Sequence, residues 1–404
     1  MALAGVVSGT VGFGNLQDVT RPQSWRGIAW ESDSRENVVA VLSSLMKTET
    51  VSDPAINWFE QDLELQEVLS NGAEPTGTAT SLTFKDSLGG GVNNNFRNGT
   101  LLKNDRTKEI VLISVDPTAN TGAVTVTRAY QTSIVAGATT TYVNDGDNWQ
   151  ILGFADEDNK DAPRAISTES QRKQNFVQLM RESVDVGLMA SQGEYRTGPE
   201  YPKRFRAAYN QFLRRWETTW IHGEPRSGGG STPDVLRTTT GGLLYPIASN
   251  VKDFGGTGVS ETSFDAFMAK AGRWGTRERV ALCGNMAINV VNQFAKFSGG
   301  TQYMTPGKQE YGLSIQTYDH AMMNLNLLYV PRLGTSTNHQ GTMIMISTAQ
   351  LSRCVFRGFD FRLRKGVQNP GILGIKDELI MAAALRLGLE KHHGALFGMT
   401  TWAP

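Results

Sequence analysis

The 404-residue chain has only two cysteines, Cys283 and Cys354, so it carries no disulfide framework. Both cysteines lie in apolar runs, which predicts buried thiols that do not react. No stretch of the sequence reaches about 18 uninterrupted apolar residues, the length that a membrane-spanning helix requires. The amino-terminal segment lacks the basic flank and the compact apolar run of a signal peptide. These absences predict a protein that is made and assembled in a reducing cytoplasm.

The chain also lacks an excess of charge of either sign. Lys and Arg together number 39, as do Asp and Glu, and charged residues make up 19% of the sequence, below the usual proportion. This balance excludes a strongly basic nucleic-acid-binding protein and an acidic solvating tail as descriptions of the whole chain. Glycine, in contrast, is abundant at 43 residues, which is typical of an ordered, loop-rich, β-leaning protein.

Sequence motifs of common enzymes are missing as well. The histidines form no metal-ligand pattern, and the neighbours His392 and His393 are predicted on opposite sides of a strand. There is no P-loop, dinucleotide fingerprint or nucleophile elbow. The GGTG run at 255–258 could cradle a phosphate, but a plain loop is favoured because no lysine stands at the expected offset. Asp156 and Asp158 likewise favour a solvated turn over a weak cation site. The sequence therefore predicts no enzyme, no cofactor and no metal.

The sequence begins with a glycine-punctuated segment whose start carries no charge. Residues 1 to about 36 cannot build a core of their own, but they can become ordered by lying on another surface. A short helix is predicted next, because Val38, Val41 and Leu45 recur at helical spacing. An arm of this kind is useful to a protein that associates with other copies.

An unusual acidic segment follows the arm. From Asp53 to Glu74 the chain has six acidic residues and no Lys or Arg. Part of the segment alternates acidic and apolar residues with the two-residue period of a strand. Two interpretations stay open, a solvated acidic face or a strand that docks on a basic surface of a partner. The candidate contact residues are Trp58, Glu60, Asp62, Glu64 and Glu67.

Residues 78–154 form a separate β-rich region. The runs KEIVLISVD and GAVTVTRAY are separated by a connection of hairpin length, and NFVQLMRESVDVGLM at 175–189 returns as a second long strand. The pattern predicts a long two-stranded projection that carries a small β domain. An isolated projection is only marginally stable in water, so we expect a neighbour to cover it.

Residues 201–222 give the clearest helix. Aromatic residues recur at spacings of three or four along one stripe that should face the core, Pro202 suits the first turn, and Gly223 suits the end. The opposite face is basic; either it is solvated, or an acidic strand of a partner lies on it. The stripe contains Tyr201, Phe205, Tyr209, Phe212, Trp216 and Trp220. The basic face contains Lys203, Arg204, Arg206, Arg214 and Arg215.

The remaining sequence alternates helices and strands, an α/β layer arrangement, from about residue 264 to residue 346. Residues 375–391 are rich in Ala and Leu, and their period on its own predicts a helix. A second basic cluster, offset only by Asp360, precedes them and is another candidate surface for the acidic strand. It comprises Arg353, Arg357, Arg362, Arg364 and Lys365.

Several passages occur in an order that resembles the major capsid proteins of tailed bacteriophages, in the group with a small β insertion in the extended loop. The order carries the resemblance, over about residues 38–398, because no single motif is specific. The passages are VVAVLSSLMKTETVSDPAINWFEQDL, KEIVLISVD…GAVTVTRAY, QNFVQLMRESVDVG, YPKRFRAAYNQFLRRWETTWIHG, TGGLL, RVALCGNMAINVVNQF and LEKHHGALFGM.

The resemblance implies an α+β fold of the Hong Kong 97 type with an extended β loop and a long spine helix. It also implies that 375–391 form a long strand of the peripheral domain, and we prefer this to the helical interpretation. The implied domains are an N-terminal arm and short helix (1–50), an extended loop (51–195) with an inserted small β domain (about 78–154), the spine helix and the start of the peripheral domain (196–234), an axial domain (235–350) and the C-terminal strands of the peripheral domain (351–404).

The function that the resemblance implies is that of a capsid subunit and not of an enzyme. Copies would assemble as pentamers and hexamers into an icosahedral shell that encloses double-stranded DNA without sequence-specific binding. The expected partners are other copies, a portal, and separate scaffolding or decoration proteins where these exist, because the charged scaffolding segment that precedes the arm in many relatives is missing. Assembly is expected in the host bacterial cytoplasm, and the final location in the virion capsid.

Three alternatives remain. An encapsulin-like compartment shares the implied fold but loads a cargo enzyme instead of a genome. A cytoplasmic enzyme that uses the 255–258 loop would bind a nucleotide as a monomer. A β-rich surface-binding protein is disfavoured because no export signal is present.

Overall fold

The chain divides into two compact units, which we call the larger unit (Met1–Ile56 with Gln174–Pro404) and the inserted unit (Asn57–Lys173). The predicted arm lies outside the described residues; of the predicted short helix, Leu42 is described and is helical. No helix of the described chain is long and apolar enough to cross a membrane. The computed structural model describes residues 42, 46–61, 65–74, 79–86, 89–130, 142–158, 161–193, 199–229, 236–256, 258–297, 304–310, 313–320 and 322–403.

Strands outnumber helices in the described residues. The helices are α1 (Leu188–Gln192), α2 (Glu200–His222), α3 (Glu261–Ala271), α4 (Asn285–Phe297) and α5 (Pro331–Thr335). The strands are β1 (Lys47–Val51), β2 (Ala55–Glu60), β3 (Glu67–Ser70), β4 (Ser81–Lys85), β5 (Thr100–Asn104), β6 (Ile110–Ile113), β7 (Ala123–Thr127), β8 (Asn148–Phe154), β9 (Gln171–Phe176), β10 (Gln178–Gly187), β11 (Arg226–Ser227), β12 (Thr238–Thr239), β13 (Val251–Asp253), β14 (Glu278–Cys283), β15 (Met304–Glu310), β16 (Leu313–Asp319), β17 (Asn324–Tyr329), β18 (Met343–Ile346), β19 (Leu351–Phe356), β20 (Arg362–Arg364), β21 (Gly374–Leu387) and β22 (Gly394–Phe397).

The inserted unit is built around a closed six-stranded barrel in the order β3-β4-β7-β6-β5-β8. In β7, which lies in the β-rich run GAVTVTRAY, the valines Val124 and Val126 are buried while Thr125 and Thr127 are exposed, the two-residue alternation of a strand. β6 and β7 pair in antiparallel fashion, which confirms the predicted hairpin. The barrel begins at Glu67, earlier than the predicted small β domain at about 78–154, because β3 pairs with both β4 and β8.

The long helix α2 packs its aromatic stripe into the core of the larger unit, as predicted. Phe212, Trp216 and Trp220 are buried in the same cluster as residues of β21. The helix ends where Gly223 donates its backbone N–H to the carbonyl of Thr219.

Strand β21 is the centre of a five-stranded sheet in the order β1-β19-β21-β10, with β20 also pairing with β21. Its 14 residues, Gly374–Leu387, confirm the strand that the resemblance implied, so the helical interpretation of 375–391 was wrong. The reason is burial on both faces, since nine consecutive residues from Asp377 to Leu385 are buried. A strand covered on both sides has a continuous apolar run instead of a period of two, and that run resembles a buried helix.

A second, seven-stranded sheet has the order β13-β22-β18-β14-β17-β16-β15, and α3 and α4 contribute to the core beside it. It realises the predicted alternation of helices and strands. Its strand β22 comes from the end of the chain, so the region 351–404, expected to form peripheral strands, divides between the two sheets. His392 ends a 3-10 helix, Glu390–His392, and therefore does not lie on a strand beside His393 as predicted.

The mixture of helices and sheets confirms the α+β class. The long helix, the long central strand and a small β unit inserted between two paired strands are the elements that the Hong Kong 97-type architecture predicts. β2 and β9 pair with each other in a two-stranded sheet, and the boundary between the two units falls within these strands.

Candidate assembly surfaces

The acidic segment is not one continuous strand. Glu60 is the last residue of β2 and Glu67 the first residue of β3, while Asp62 and Glu64 lie outside the described residues. The Trp58 Nε1–H donates a hydrogen bond of 2.7 Å to Glu60 Oε1, because residues two apart on a strand face the same side. Phe59 points to the other side and is 70% exposed. β2 therefore presents a carboxylate held by an indole on one face and an open phenyl ring on the other.

The strand beside β2 is basic. β9 pairs with β2, and its Arg172 and Lys173 are both exposed. The acidic strand therefore already has cations next to it within its own chain. The sequence pattern did not reveal this arrangement, although the residues QRK at 171–173 directly precede the predicted return strand.

The basic face of α2 is engaged in part by carboxylates of the larger unit. Arg204 Nε lies 2.8 Å from the carboxylate of Glu200, one turn earlier, and Arg215 pairs with Glu182 on β10. Arg206 is exposed and Arg214 is half-buried. The arginine side chains of both pairs are more than half exposed, and such surface pairs stabilise a fold by about 1 kcal/mol or less. Carboxylates of a neighbouring subunit can therefore replace Glu200 and Glu182 with little loss of folding free energy.

The second basic cluster lies alongside the long helix. The ring of Phe361, just before β20, packs edge-on against Tyr209 and Phe212 of α2, with ring centroids 5.5 and 5.8 Å away. The structure thus brings the two predicted basic sets onto neighbouring elements. Within the cluster, Arg353 pairs with Asp360, the acidic residue that offsets the charge of the cluster. The exposed members are Arg357, Arg362, Arg364 and Lys365.

Two buried carboxylates of β21 anchor these elements, and sequence analysis did not identify them. Asp377 accepts hydrogen bonds from the Tyr201 hydroxyl and from the backbone N–H of Gly366, at 2.9 Å for the latter. The hydrogen bond to Asp377 raises the pKa of Tyr201 to about 12. Glu378 pairs with Arg181 and lies 3.8 Å from Arg364. These contacts fix the start of α2 and the strand β20 to the central strand.

A group of exposed apolar residues lies where β10 ends and β21 begins. We call it the apolar tip; it was not identified from the sequence, because its members come from two distant segments. Its members are Leu188, Met189, Ile372, Leu373 and Ile375.

The described residues hold little that suggests catalysis. Both cysteines are buried, as predicted, and burial raises the pKa of the Cys354 thiol to about 11 and that of Cys283 further, which disfavours the reactive thiolate. In the glycine loop, the N–H of Gly255 donates to Asp253 Oδ1 at 2.8 Å, so this amide faces an internal carboxylate instead of a phosphate. Asp156 pairs with Arg97 at 3.0 Å, in line with a solvated turn.

Histidine and carboxylate side chains do not assemble a metal site in the part of the chain that the structure describes. The rings of His222 and His339 lie 4.4 Å apart, and burial, together with the neighbouring imidazole, lowers the pKa of His222. A cavity of about 310 Å³ lies beneath Leu42 and Met46, and apart from Lys47 its lining has no ionisable side chain. This lining suits packing better than acid–base chemistry.

Comparison with known proteins gives one family. The model of the SU10 major capsid protein family matches residues 33–400. No curated protein matches this chain in sequence.

Solved capsid and compartment structures are similar to the chain at low sequence identity. The capsid of a native GTA particle has 8% identity and a TM-score of 0.47, and covers 96% of this chain and 97% of that chain. The SrpI encapsulin of Synechococcus elongatus PCC 7942 has 12% identity and a TM-score of 0.42, with 59% and 80% covered. Mycobacterium phage Patience has 8% identity and a TM-score of 0.40, with 61% and 77% covered.

Proposed function

This chain belongs to the SU10 major capsid protein family, and from that premise we propose how its copies build the shell of a tailed-phage virion. Copies of the chain associate with one another to form the capsid. The family is a structural one, so its members act through surfaces that bury each other. The match over residues 33–400 carries this conclusion, because it spans both the inserted unit and the larger unit.

The proposed shell is icosahedral, is built from pentamers and hexamers, and encloses double-stranded DNA without reading its sequence. The balance of 39 basic and 39 acidic residues supports the enclosure of DNA without tight binding, because a neutral wall does not adhere to the phosphates of its contents. A portal closes one vertex, and a separate scaffolding protein directs assembly where one is needed. Assembly takes place in the host bacterial cytoplasm, which suits a chain with two buried, reduced cysteines.

Electron microscopy of particles purified from phage-producing cells tests this function. We expect closed shells whose main protein is this chain and whose DNA is protected from nuclease. Closed shells that hold a cargo protein and no DNA would instead indicate an encapsulin-like compartment. A chain that stays a compact monomer in such cells would refute the capsid function altogether.

The contact that we propose between neighbours joins unlike charges. The acidic residues Glu60, at the end of β2, and Glu67, at the start of β3, lie on the basic face of α2 of the next copy, or on its adjoining cluster from Arg353 to Lys365. Phe59, 70% exposed beside Glu60, supplies apolar area for the same contact. Charge pairs of this kind fix register and choice of partner more than affinity.

Reversal of two charges on α2 tests the docking contact. Arg214→Glu with Arg215→Glu should lower particle yield by roughly ten-fold or more, because like charges across an interface cost several kcal/mol. The subunit should stay folded, since the Arg215–Glu182 pair is a surface pair. Thermal unfolding of the subunit and particle counts by microscopy provide the two readouts.

Two further variants make the result specific. Arg226→Glu with Arg237→Glu changes the same number of charges at exposed sites of the larger unit and should leave the yield normal. Adding Glu60→Lys and Glu67→Lys to the α2 double variant should restore assembly. Docking at this face would be rejected if the α2 double variant forms normal particles. It would also be rejected if the α2 double variant and the variant with added Glu60→Lys and Glu67→Lys both fail to assemble.

A further inference from the structure

The apolar tip lies at the end of a long pair of strands. β10 and β21 pair over ten residues, and the last pair is Gly187 with Gly374. The chain leaves the sheet on both sides of this pair, at Leu188 and at Leu373, so the two apolar segments emerge next to each other. Ile375, one residue into β21, pairs with Val186 beside this end of the sheet.

The side chains of the tip are far more exposed than those of a core. Met189 is 87% and Leu373 is 78% exposed, and the five members average more than half exposed. Their apolar surface is on the order of 600 Å², which is the upper end of what soluble monomers leave open and is typical of interaction sites. The five members include no polar side chain.

Hydrogen bonds around the tip hold its backbone in place. The Ser191 hydroxyl donates to the carbonyl of Leu188 at 2.7 Å, and the N–H of Ile372 donates to the carbonyl of Asn369 at 3.2 Å. The N–H of Val367 donates to the carbonyl of Lys376 at 2.8 Å. A surface arranged in advance loses less conformational entropy when it binds.

We propose that a second copy of this chain covers the apolar tip in the assembled shell. The inference rests on the proposed function, because self-assembly brings the neighbouring copy. Beside the tip, Asp185 and Lys376 form an ion pair at 3.6 Å, so this pair adds no net charge that would attract nucleic acid. An apolar surface on a self-associating subunit is buried most simply by another subunit.

The area of the tip indicates at which stage of assembly it becomes covered. A stable two-protein interface buries about 800 Å² on each partner, and the tip offers less. The tip therefore does not hold two subunits together in dilute solution. It is buried only after other contacts, such as those of β2, have fixed the neighbour in place.

Methionine oxidation measures the coverage directly. Hydrogen peroxide converts exposed Met189 to its sulfoxide, and peptide mass spectrometry gives the rate. We expect Met189 to react about ten-fold more slowly in intact particles than in dispersed subunits, while Met268, fully buried in the larger unit, reacts slowly in both. Equal rates for Met189 in the two states would overturn the proposal.

A crosslink identifies the occupant. The two native cysteines are buried, so Leu373→Cys introduces a single reactive thiol for a benzophenone label. In particles assembled from mixed ordinary and nitrogen-15 chains, the label should join one light chain to one heavy chain. A crosslink to a different protein, or only within one copy, would overturn the choice of a second copy.

Variants connect coverage to assembly. Met189→Gln with Leu373→Gln should lower particle yield by roughly ten-fold without changing subunit unfolding, whereas Met189→Leu with Leu373→Met keeps the apolar surface and should assemble normally. Unchanged yield in the glutamine variant would count against the tip. If Met189 oxidises as fast in wild-type particles as in dispersed subunits, only this inference is refuted. If no particles form at all, the proposed function is refuted.

Discussion

Replacing Glu109 by glutamine should destabilise the inserted barrel far more than a typical surface change. Glu109 and Arg128 are 1% and 5% exposed, and two arginine nitrogens donate to the carboxylate at 2.6 and 2.7 Å. Glu109→Gln leaves the guanidinium buried without its counter-charge, which costs about 3 kcal/mol at the lower end of the range for broken buried pairs. Against a domain stability of roughly 5–15 kcal/mol, this is a large fraction.

Amide hydrogen exchange on the full-length chain isolates the barrel from the larger unit. A loss of about 3 kcal/mol lowers the protection of amides in β5, β6 and β8 by roughly 100-fold, at tenfold per 1.4 kcal/mol. Protection in the five-stranded sheet of the larger unit should stay the same.

Two matched variants decide the cause. Asp145→Asn also turns a barrel carboxylate into an amide, but Asp145 pairs with Lys85 at the exposed surface and should change protection little. The double variant Glu109→Leu with Arg128→Met removes both charges and should recover most of the loss. If Glu109→Gln behaves like Asp145→Asn, or if the double variant is as unstable as the single one, our account of this ion pair is wrong.

Two further predictions concern the larger unit. Burial lowers the pKa of His393 to about 4. As the pH falls, the unfolded chain therefore takes up a proton near pH 6.5, whereas the folded chain does not. The free energy of unfolding should be highest above about pH 7 and should fall by about 3 kcal/mol in total toward pH 4. Urea unfolding should show this slope in the wild type and a shallower one in His393→Gln; equal slopes would contradict the assignment. A Cβ at Gly242 would lie 2.7 Å from the carbonyl oxygen of Trp220, so Gly242→Ala should cost about 2 kcal/mol and lower the melting temperature by several degrees. Gly187→Ala, which meets open space, is the control, and similar melting temperatures for the two variants would refute the clash.

Elements with a clear period were predictable from sequence. The aromatic stripe of α2 repeats at helical spacing, and its buried members, Phe212, Trp216 and Trp220, lie where that spacing put them. The run GAVTVTRAY predicted the strand β7, and its valines alternate with exposed threonines in the structure. In both cases one face is solvated and the other is buried, so the spacing of apolar residues in the sequence follows the pattern of burial.

Features that depend on distant pairing were not predictable. The strand β21 lacks the two-residue period of a half-buried strand because both of its faces are buried, and only the resemblance to capsid proteins indicated it. The carboxylates of Asp377 and Glu378 are buried beside Tyr201 and Arg181, which no local pattern reveals. The contact role of the basic residues stays a prediction. Arg204 and Arg215 already pair with carboxylates of their own chain, so a partner's carboxylates would have to replace Glu200 and Glu182.

The way in which the inserted unit joins the chain has a consequence for engineering. Its two connections run through β2 and β9, which are hydrogen-bonded neighbours, so entry and exit lie about 5 Å apart. A segment whose ends meet in this way behaves as a cassette: a tight turn could close the gap, or a foreign domain with adjacent termini could be spliced into the same place. Because the six described strands of its barrel close on one another, each of them is paired on both sides and the barrel offers no free sheet edge.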